Sequence, residues 1–317
     1  MKLTKTQQRK LHRKLRANAS AENVFVSAFL REFRNAVEKR LSKASSIEEV
    51  DAVIDSIDLK KLNKYIKNLS TNVLRRNDAG FTNVISALMG GIGQVQKQQK
   101  DRKDFAVAVP KLIKDKRIYQ PLLQKFEYNV SLIKDLPKAV YRELREGYLE
   151  GKSFRGTELE QKLYERLGSR ARLIVRTESA KVNTALTEVR ARSIGVQAYM
   201  WSTSDDQRVR DSHKLINNVM FFWNDPPRFL YTAKTGKISE MSGGCGETPN
   251  CRCVALPVFE LEDIQFPVRV ANHIAIMDAY AGVNKIRTYI SSGTITTYTR
   301  DKFLEKYGAM FNAQLEG

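Results

Sequence analysis

The chain contains few cysteines, and the few are placed unlike those of an exported protein. Only three of its 317 residues are cysteine, and they cluster at Cys245, Cys251 and Cys253. Small secreted domains use larger, dispersed cysteine sets as a disulfide framework, so this pattern argues against one. No basic start is followed by an apolar core and a small-residue cleavage site, so we expect no secretory signal. We therefore expect the chain to assemble in a reducing cytoplasm.

Long hydrophobic runs are also lacking. The most apolar short stretch, residues 84–92, contains glycines and has about half the length that a bilayer-spanning helix needs. We therefore predict no membrane span. The same stretch is more typical of a buried helix end or a glycine hinge. A chain of this length can bury a substantial core, which favours two or three domains.

Acidic residues are too few to balance the basic ones. The chain has 35 Asp and Glu against 54 Lys and Arg, a net charge of +19. Such an excess favours a polyanionic partner: nucleic acid, an acidic membrane face or an acidic protein surface. DNA attracts a basic surface without regard to sequence, because binding releases counterions from the phosphates. The alternative is a protein whose charge serves only its solubility.

Two segments carry most of this charge. The first sixteen residues contain seven cations and no acid, and residues 61–117 contain thirteen cations and four aspartates. We predict that they contact double-stranded DNA independently of its sequence, or an acidic partner surface; the first segment is equally compatible with a solvated helix. The predicted binding residues are Lys2, Lys5, Arg9, Lys10, Arg13, Lys14, Arg16, Lys97, Lys100, Arg102 and Lys103.

Helical periodicity dominates the first two thirds of the chain. The predicted helices cover residues 21–41, 59–74, 157–167 and 169–194, with further starts after Ser46 and at Pro137. Glycines punctuate this pattern, with a joint at Gly90–Gly93 and helix ends at Gly168 and Gly195. Beyond Gly195, alternating aromatic residues predict a strand over 197–203. Nearer the end, the sequence predicts a strand around 294–298 and a helix over 300–311.

These patterns predict an α+β fold, with a predominantly helical N-terminal region followed by a compact mixed α/β C-terminal domain. The predicted divisions are a basic arm (1–20), a helical basic region containing the glycine joint (21–128), a compact domain (129–257) and a mixed tail (258–317). We expect Trp201, Phe221, Phe222 and Trp223 to fill the C-terminal core. A stacking platform for single-stranded DNA would instead interleave its aromatic residues with cations.

Four short motifs occur in one order. They are Arg176-Thr177-Glu178 on a long helix, Tyr199-Met200-Trp201 after Gly195, Asp206–His213 (DQRVRDSH), and Pro249–Cys253 (PNCRC). Together they resemble the Mu F-like minor head proteins, or head-morphogenesis proteins, of tailed bacteriophages. The resemblance covers Arg176–Pro257. One departure is Asn218, which stands where the family commonly has glycine; asparagine tolerates the same left-handed backbone.

The resemblance implies a virion component that works in head assembly. It implies few copies, a place in the head interior or at the portal vertex, and the portal or major capsid protein as partner. In some members it also implies contact with packaged DNA, with the host cytoplasm as the place of assembly. The compact domain over 129–257 would be the Mu F-like domain, with no catalytic residues. Two alternatives remain: a zinc-dependent or histidine-based hydrolase, and a host-encoded DNA-binding protein outside the virion.

The three cysteines and one histidine provide a candidate metal site. His213, Cys245, Cys251 and Cys253 form a possible Cys₃His set for structural zinc, the only cofactor that we predict. A zinc clip would stabilise a loop-rich region, although the spacing is not that of a C-x-x-C knuckle. Buried free thiols and a Cys245–Cys251 disulfide are the two alternatives.

Charged residues in the motifs allow two interpretations. With His213 as a general base, they could form an active site. We favour a buried polar network in which Arg176 and Glu178 pair with Asp206 and Arg208, locking the helix onto the strands. No obvious nucleophile or second histidine lies within the motifs, which is why the structural interpretation is preferred.

Overall fold

The computed structural model describes residues 19–88, 116–149, 156–193, 195–232, 236–241, 243–259, 261–280 and 286–312. The glycine joint and all eleven predicted DNA- or partner-binding cations lie outside these ranges. Two compact units are present. Described residues within 18–73 and 123–179 form the helical unit, and those within 74–122 and 180–317 form the sheet unit. Within these ranges, no helix is both long and apolar enough to cross a bilayer.

Six α-helices precede the first strand in the described part of the chain. They are α1 (Ala19–Leu41), α2 (Ile47–Asp55), α3 (Leu62–Leu88), α4 (Lys116–Ser131), α5 (Leu136–Leu149) and α6 (Gly156–Ser193), with a 3₁₀ turn at Leu132–Asp135. The predicted periodicity of α1 is confirmed, because Phe25, Phe29, Phe33 and Val37 are all buried. Pro137 lies in the first turn of α5, where its missing N–H costs no helical hydrogen bond.

The start of α2 is confirmed at Ser46. Its hydroxyl accepts a hydrogen bond from the backbone N–H of Glu49, and the Glu49 carboxylate accepts one from the backbone N–H of Ser45 at 2.7 Å. The first bond satisfies an orphan donor of the helix start, and the second bonds the residue before the cap back to the first turn, an arrangement similar to a capping box. Asp51 then joins α2 to α5, since it accepts hydrogen bonds from Tyr141 at 2.7 Å and from Arg145 at 3.0 Å.

The predicted helix end at Gly168 is wrong. The helix α6 runs without a break through 38 residues. A glycine inside a helix costs about 1 kcal/mol relative to alanine, but here it permits close packing. A Cβ on Gly168 would lie 3.3 Å from a methyl group of Leu30 on α1. The predicted end at Gly195 is confirmed, with a φ of 80° and a bond from Val196 N to Ala191 O.

The sheet unit contains a seven-stranded mixed sheet. Its strands are β1 (Ala198–Ser202), β2 (Val219–Phe222), β3 (Arg228–Thr232), β4 (Ile238–Met241), β5 (Val254–Pro257), β6 (Val268–Tyr280) and β7 (Ile286–Tyr298). Their order is β4-β3-β6-β2-β1-β5, and β7 pairs with β6 outside that path. Two helices, α7 (Asp211–Leu215) and α8 (Arg300–Asn312), accompany them. The predicted α+β class is confirmed.

The strand β6 connects the parts of this sheet. Val219 and Met220 of β2 pair with one end of β6, and Arg228–Tyr231 of β3 pairs with the other, both in parallel. The hairpin partner β7 follows β6 in antiparallel register along its length. Segments far apart in sequence therefore meet on one strand. The predicted domain boundaries at 20, 128 and 257 stay predictions.

The core of the sheet unit is aromatic, as predicted. Trp201, Tyr199, Phe221 and Trp223 belong to one buried cluster, in which the Tyr199 and Trp223 rings lie 4.3 Å apart. Neighbouring strand positions supply a second cluster around Phe303, Tyr307 and Phe311 of α8. Alternate residues of β1 and β2 divide between the two clusters, because successive strand residues point to opposite faces.

Gly246 and Gly236 offer a matched test of packing in this unit. Both have a φ near 80°, but a Cβ at Gly246 would lie 2.8 Å from the Cβ of Ala180, whereas one at Gly236 meets nothing within 4 Å. Both alanine variants should lose about 1–2 kcal/mol of unfolding free energy through backbone strain. Gly246→Ala should lose roughly 1–3 kcal/mol more through overpacking. Denaturation followed by tryptophan fluorescence measures this, because both tryptophans lie in the sheet unit. Equal losses would contradict the predicted steric contribution.

Candidate metal centre

The site is built around His213 on the short helix α7. Its side chain is 2% exposed. The imidazole ring packs against two aromatic rings, with its centroid 5.4 Å from that of Trp201 and 4.9 Å from that of Phe229. The turn between α7 and β2 depends on Asn218, whose φ of 55° confirms the left-handed backbone predicted there. Its N–H donates to Trp201 O at 2.9 Å.

Two cysteines face one nitrogen of this ring. Cys251 and Cys253 lie just before β5 and are 3% and 5% exposed. His213 Nδ1 is 3.5 Å from Cys251 Sγ and 3.3 Å from Cys253 Sγ. The three potential ligand atoms all lie within 4.8 Å of one another. The structure therefore brings together three of the four residues predicted as zinc ligands.

Cys245 is not part of this group. It is fully buried in the same core cluster, but its sulfur does not lie within 4.8 Å of all three ligand atoms. Burial raises the pKa of its thiol well above the ordinary value. All three cysteines are free, so the structure contains no Cys245–Cys251 disulfide.

The two clustered thiols have opposite proton affinities. A hydrogen bond with Cys253, reinforced by His213, holds the pKa of Cys251 well below its usual range, although burial opposes this. The same hydrogen bond, together with burial, raises the pKa of Cys253. Cys251 Sγ also accepts from the backbone N–H of Cys253 at 3.4 Å. The pair therefore favours one thiolate, on Cys251, beside the imidazole.

Thr248 occupies the opposite side of the histidine. Its Oγ1 is 3.4 Å from His213 Nε2 and accepts a hydrogen bond from Arg210 at 3.2 Å. Arg210 also donates to Pro249 O at 2.7 Å. When Nε2 carries the ring proton and donates it to Thr248, the lone pair of Nδ1 faces the two sulfurs. Neither Thr248 nor Arg210 was among the predicted site residues, because nothing in their local sequence marks them as partners of His213.

Arg252, between the two cysteines, fixes their segment to the Asp206 turn. Its two terminal nitrogens donate to the two carboxylate oxygens of Asp206. Asp206 also accepts from Arg208 N at 2.9 Å, so Arg208 contributes its backbone to this turn. The guanidinium of Arg252 lowers the pKa of Asp206 to about 2. Bidentate pairing of this kind combines charge with fixed geometry.

The other two members of the predicted polar network lie in the helical unit. There Glu178 accepts a hydrogen bond from Asn129 at 2.7 Å, and Arg176 is half-buried. The network of Arg176, Glu178, Asp206 and Arg208 as a set stays a prediction.

A buried polar cluster that the sequence patterns did not reveal lies on α3 and α6, where Asn77 donates to Asn183 Oδ1 at 2.7 Å and to Thr187 at 3.0 Å.

We expect Asp206→Asn to destabilise the protein in a pH-dependent way. Because the folded pKa of Asp206, about 2, lies below its unfolded value near 3.8, the stabilisation is present above about pH 4 and is lost as pH falls towards 2. At neutral pH the variant should lose about 1–2 kcal/mol of unfolding free energy. The difference from wild type should shrink between about pH 5 and pH 2.

Asp211→Asn is the matched control for that measurement. Its carboxylate pairs with Lys214 at 2.9 Å, but its side chain is 73% exposed. An exposed pair contributes about 0–1 kcal/mol, so this variant should show little loss at any pH. A pH-independent loss in Asp206→Asn, or equal losses in both variants, would show that the Arg252 pair does not provide the stabilisation.

Comparison with known proteins places the site within one family pattern. Residues 138–256 match the family model described as phage Mu protein F like protein. The matched range contains most of α5, all of α6, and the chain through most of β5. It therefore contains all four motifs and the cluster of His213, Cys251 and Cys253.

One curated relative matches part of the chain. An uncharacterized protein of Haemophilus influenzae is 40% identical over 91 residues, which are 29% of this chain and 18% of that protein. The chain thus matches less than a fifth of the relative's length. No solved structure matches the chain. The resemblance that the four motifs predicted is confirmed: the chain carries a phage Mu F-like region over residues 138–256.

Proposed function

We propose that the chain is a minor head protein of a tailed bacteriophage that acts in head assembly. The observation that supports this is the family match over residues 138–256, which includes every motif on which the resemblance depends. Head morphogenesis is the role that membership of this family implies. Four residues from three of the motifs, Trp201, His213, Cys251 and Cys253, are buried in one core cluster of the sheet unit or pack against it.

A structural role is part of this proposal. A general base must reach the proton that it removes from a substrate. His213 is buried, and its two ring nitrogens already have neighbours: the sulfurs of Cys251 and Cys253 on one side and Thr248 on the other. This arrangement favours a fold-closing function for the motif over the alternative of a histidine-based hydrolase.

We also propose that the chain lies in the head interior or at the portal vertex, with the portal or major capsid protein as partner and packaged DNA nearby. The net charge of +19 supports the DNA contact. In the described part of the predicted basic region, Lys61, Lys64 and Lys67 are exposed around the start of α3. Their spacing of three residues places them on neighbouring turns of one helix surface.

The proposed role makes the chain a component of the phage particle. Mass spectrometry of purified particles of the encoding phage should detect the chain at a copy number far below that of the major capsid protein. Particles assembled without the chain should contain fewer DNA-filled heads, and the wild-type gene supplied in trans should restore them. Complete particles that lack the chain and remain infectious would contradict the proposed role.

The proposed DNA contact can be tested by the salt dependence of binding. Wild-type protein should bind random-sequence duplex DNA with an affinity that falls steeply with salt. Replacing Lys97, Lys100, Arg102 and Lys103 by glutamine should make the slope of log K against log salt shallower by about 0.9 for each phosphate that is no longer neutralised. The matched control removes four exposed lysines outside both basic segments: Lys39, Lys125, Lys237 and Lys302. Equal slopes for the two quadruple variants, or no binding at low salt, would contradict the assigned DNA contact.

A further inference from the structure

We propose that His213, Cys251 and Cys253 bind one zinc ion, through His213 Nδ1 and the two cysteine sulfurs. This assignment concerns the fold of the sheet unit and holds whether or not the chain belongs to a phage particle. It adds a metal site to the region that the head-assembly proposal treats as structural.

The distances fit tetrahedral coordination. Zinc holds sulfur at about 2.3 Å and imidazole nitrogen at about 2.0–2.1 Å, so tetrahedral N and S ligands lie about 3.5–3.6 Å apart. His213 Nδ1 is 3.5 Å from Cys251 Sγ and 3.3 Å from Cys253 Sγ. The nitrogen thus lies at nearly the distance from each sulfur that one shared ion requires, although the ligands come from two separate segments of the chain.

The donor types and their burial also favour zinc. All three side chains are at most 5% exposed, so an ion between them would be shielded from bulk water. When both cysteines lose their protons on binding, one divalent ion balances two thiolates and a neutral imidazole. Thiolate and imidazole donors together are the ligands that zinc prefers, whereas magnesium and calcium prefer oxygen.

The groups around the ligands are placed as in a zinc site. A metal-bound histidine usually donates its other ring N–H to an oxygen, which fixes the tautomer. Here Thr248 Oγ1 lies 3.4 Å from His213 Nε2, and Arg210 holds that hydroxyl at 3.2 Å. The backbone N–H of Cys253 points at the sulfur of Cys251. Both ligand types therefore have supporting hydrogen bonds.

The ion would connect α7 to the segment that leads into β5. The Asp206–Arg252 pair connects that same segment to the turn just before α7. We assign no ligand role to Cys245, although it belongs to the set predicted from the sequence, because its sulfur lies outside the group. Three-ligand zinc sites take water or another exogenous donor at the fourth position.

The test is the zinc content of the full chain, produced with zinc in the medium and purified under reducing conditions. We expect one zinc per chain in wild type and in Cys245→Ser. We expect none in Cys253→Ser and none in His213→Asn. Circular dichroism and tryptophan fluorescence show whether each variant is folded. Wild-type protein without stoichiometric zinc overturns the proposal, and so does loss of zinc from a folded Cys245→Ser variant.

A second measurement on wild-type protein covers the case in which the ligand variants fail to fold. Cobalt(II) added to metal-free protein should give the visible absorption of a tetrahedral thiolate complex and release protons from the cysteines. Adding zinc should abolish that absorption, and a chelator should lower the melting temperature until zinc is restored. A cobalt spectrum of octahedral type, or a melting temperature that is unchanged by the chelator, overturns the proposal.

Discussion

The sheet depends on the hydrogen bonding of one strand, β6. It is 13 residues long, which gives a single edge enough room for β2 at one end and β3 at the other. Among the described strands, the pair β3–β4 is joined by hydrogen bonds to the β2-β1-β5 side of the sheet only through β6. A shorter β6 would leave two separate fragments, each presenting unpaired backbone donors and acceptors. The position of the Mu F-like motifs therefore relies on a strand that begins twelve residues beyond the matched region.

The sequence predicted local structure better than the meeting of distant segments. Periodicity identified α1, the cap at Ser46 identified α2, and alternating aromatic residues identified β1, because each signal reflects contacts within a few residues. It misplaced a helix end at Gly168, where glycine serves packing against Leu30. The sequence could not show that β6 joins β2 to β3, since the residues of a strand do not determine which distant strands pair with it.

At the candidate site, too, the sequence indicated the residue types but not which distant residues come together. The residue types at His213, Cys251 and Cys253 already indicated metal chemistry, and the structure brings their ligand atoms together. Spacing along the chain could not separate them from Cys245, because which sulfur reaches the imidazole depends on the loops between the strands. In the sequence, Arg252 stands out only as part of a cysteine motif. Its bidentate pair with Asp206 fixes the cysteine segment to the turn before α7, and the contact of Arg210 with Thr248 holds that hydroxyl beside His213.

The burial of the three thiols has a consequence for their chemical stability. Oxidants attack cysteines that are exposed and deprotonated. Cys251 has thiolate character, but at 3% exposure it is shielded, and Cys245 is both fully buried and protonated. Burial in the sheet unit therefore protects these sulfurs from oxidation without a disulfide.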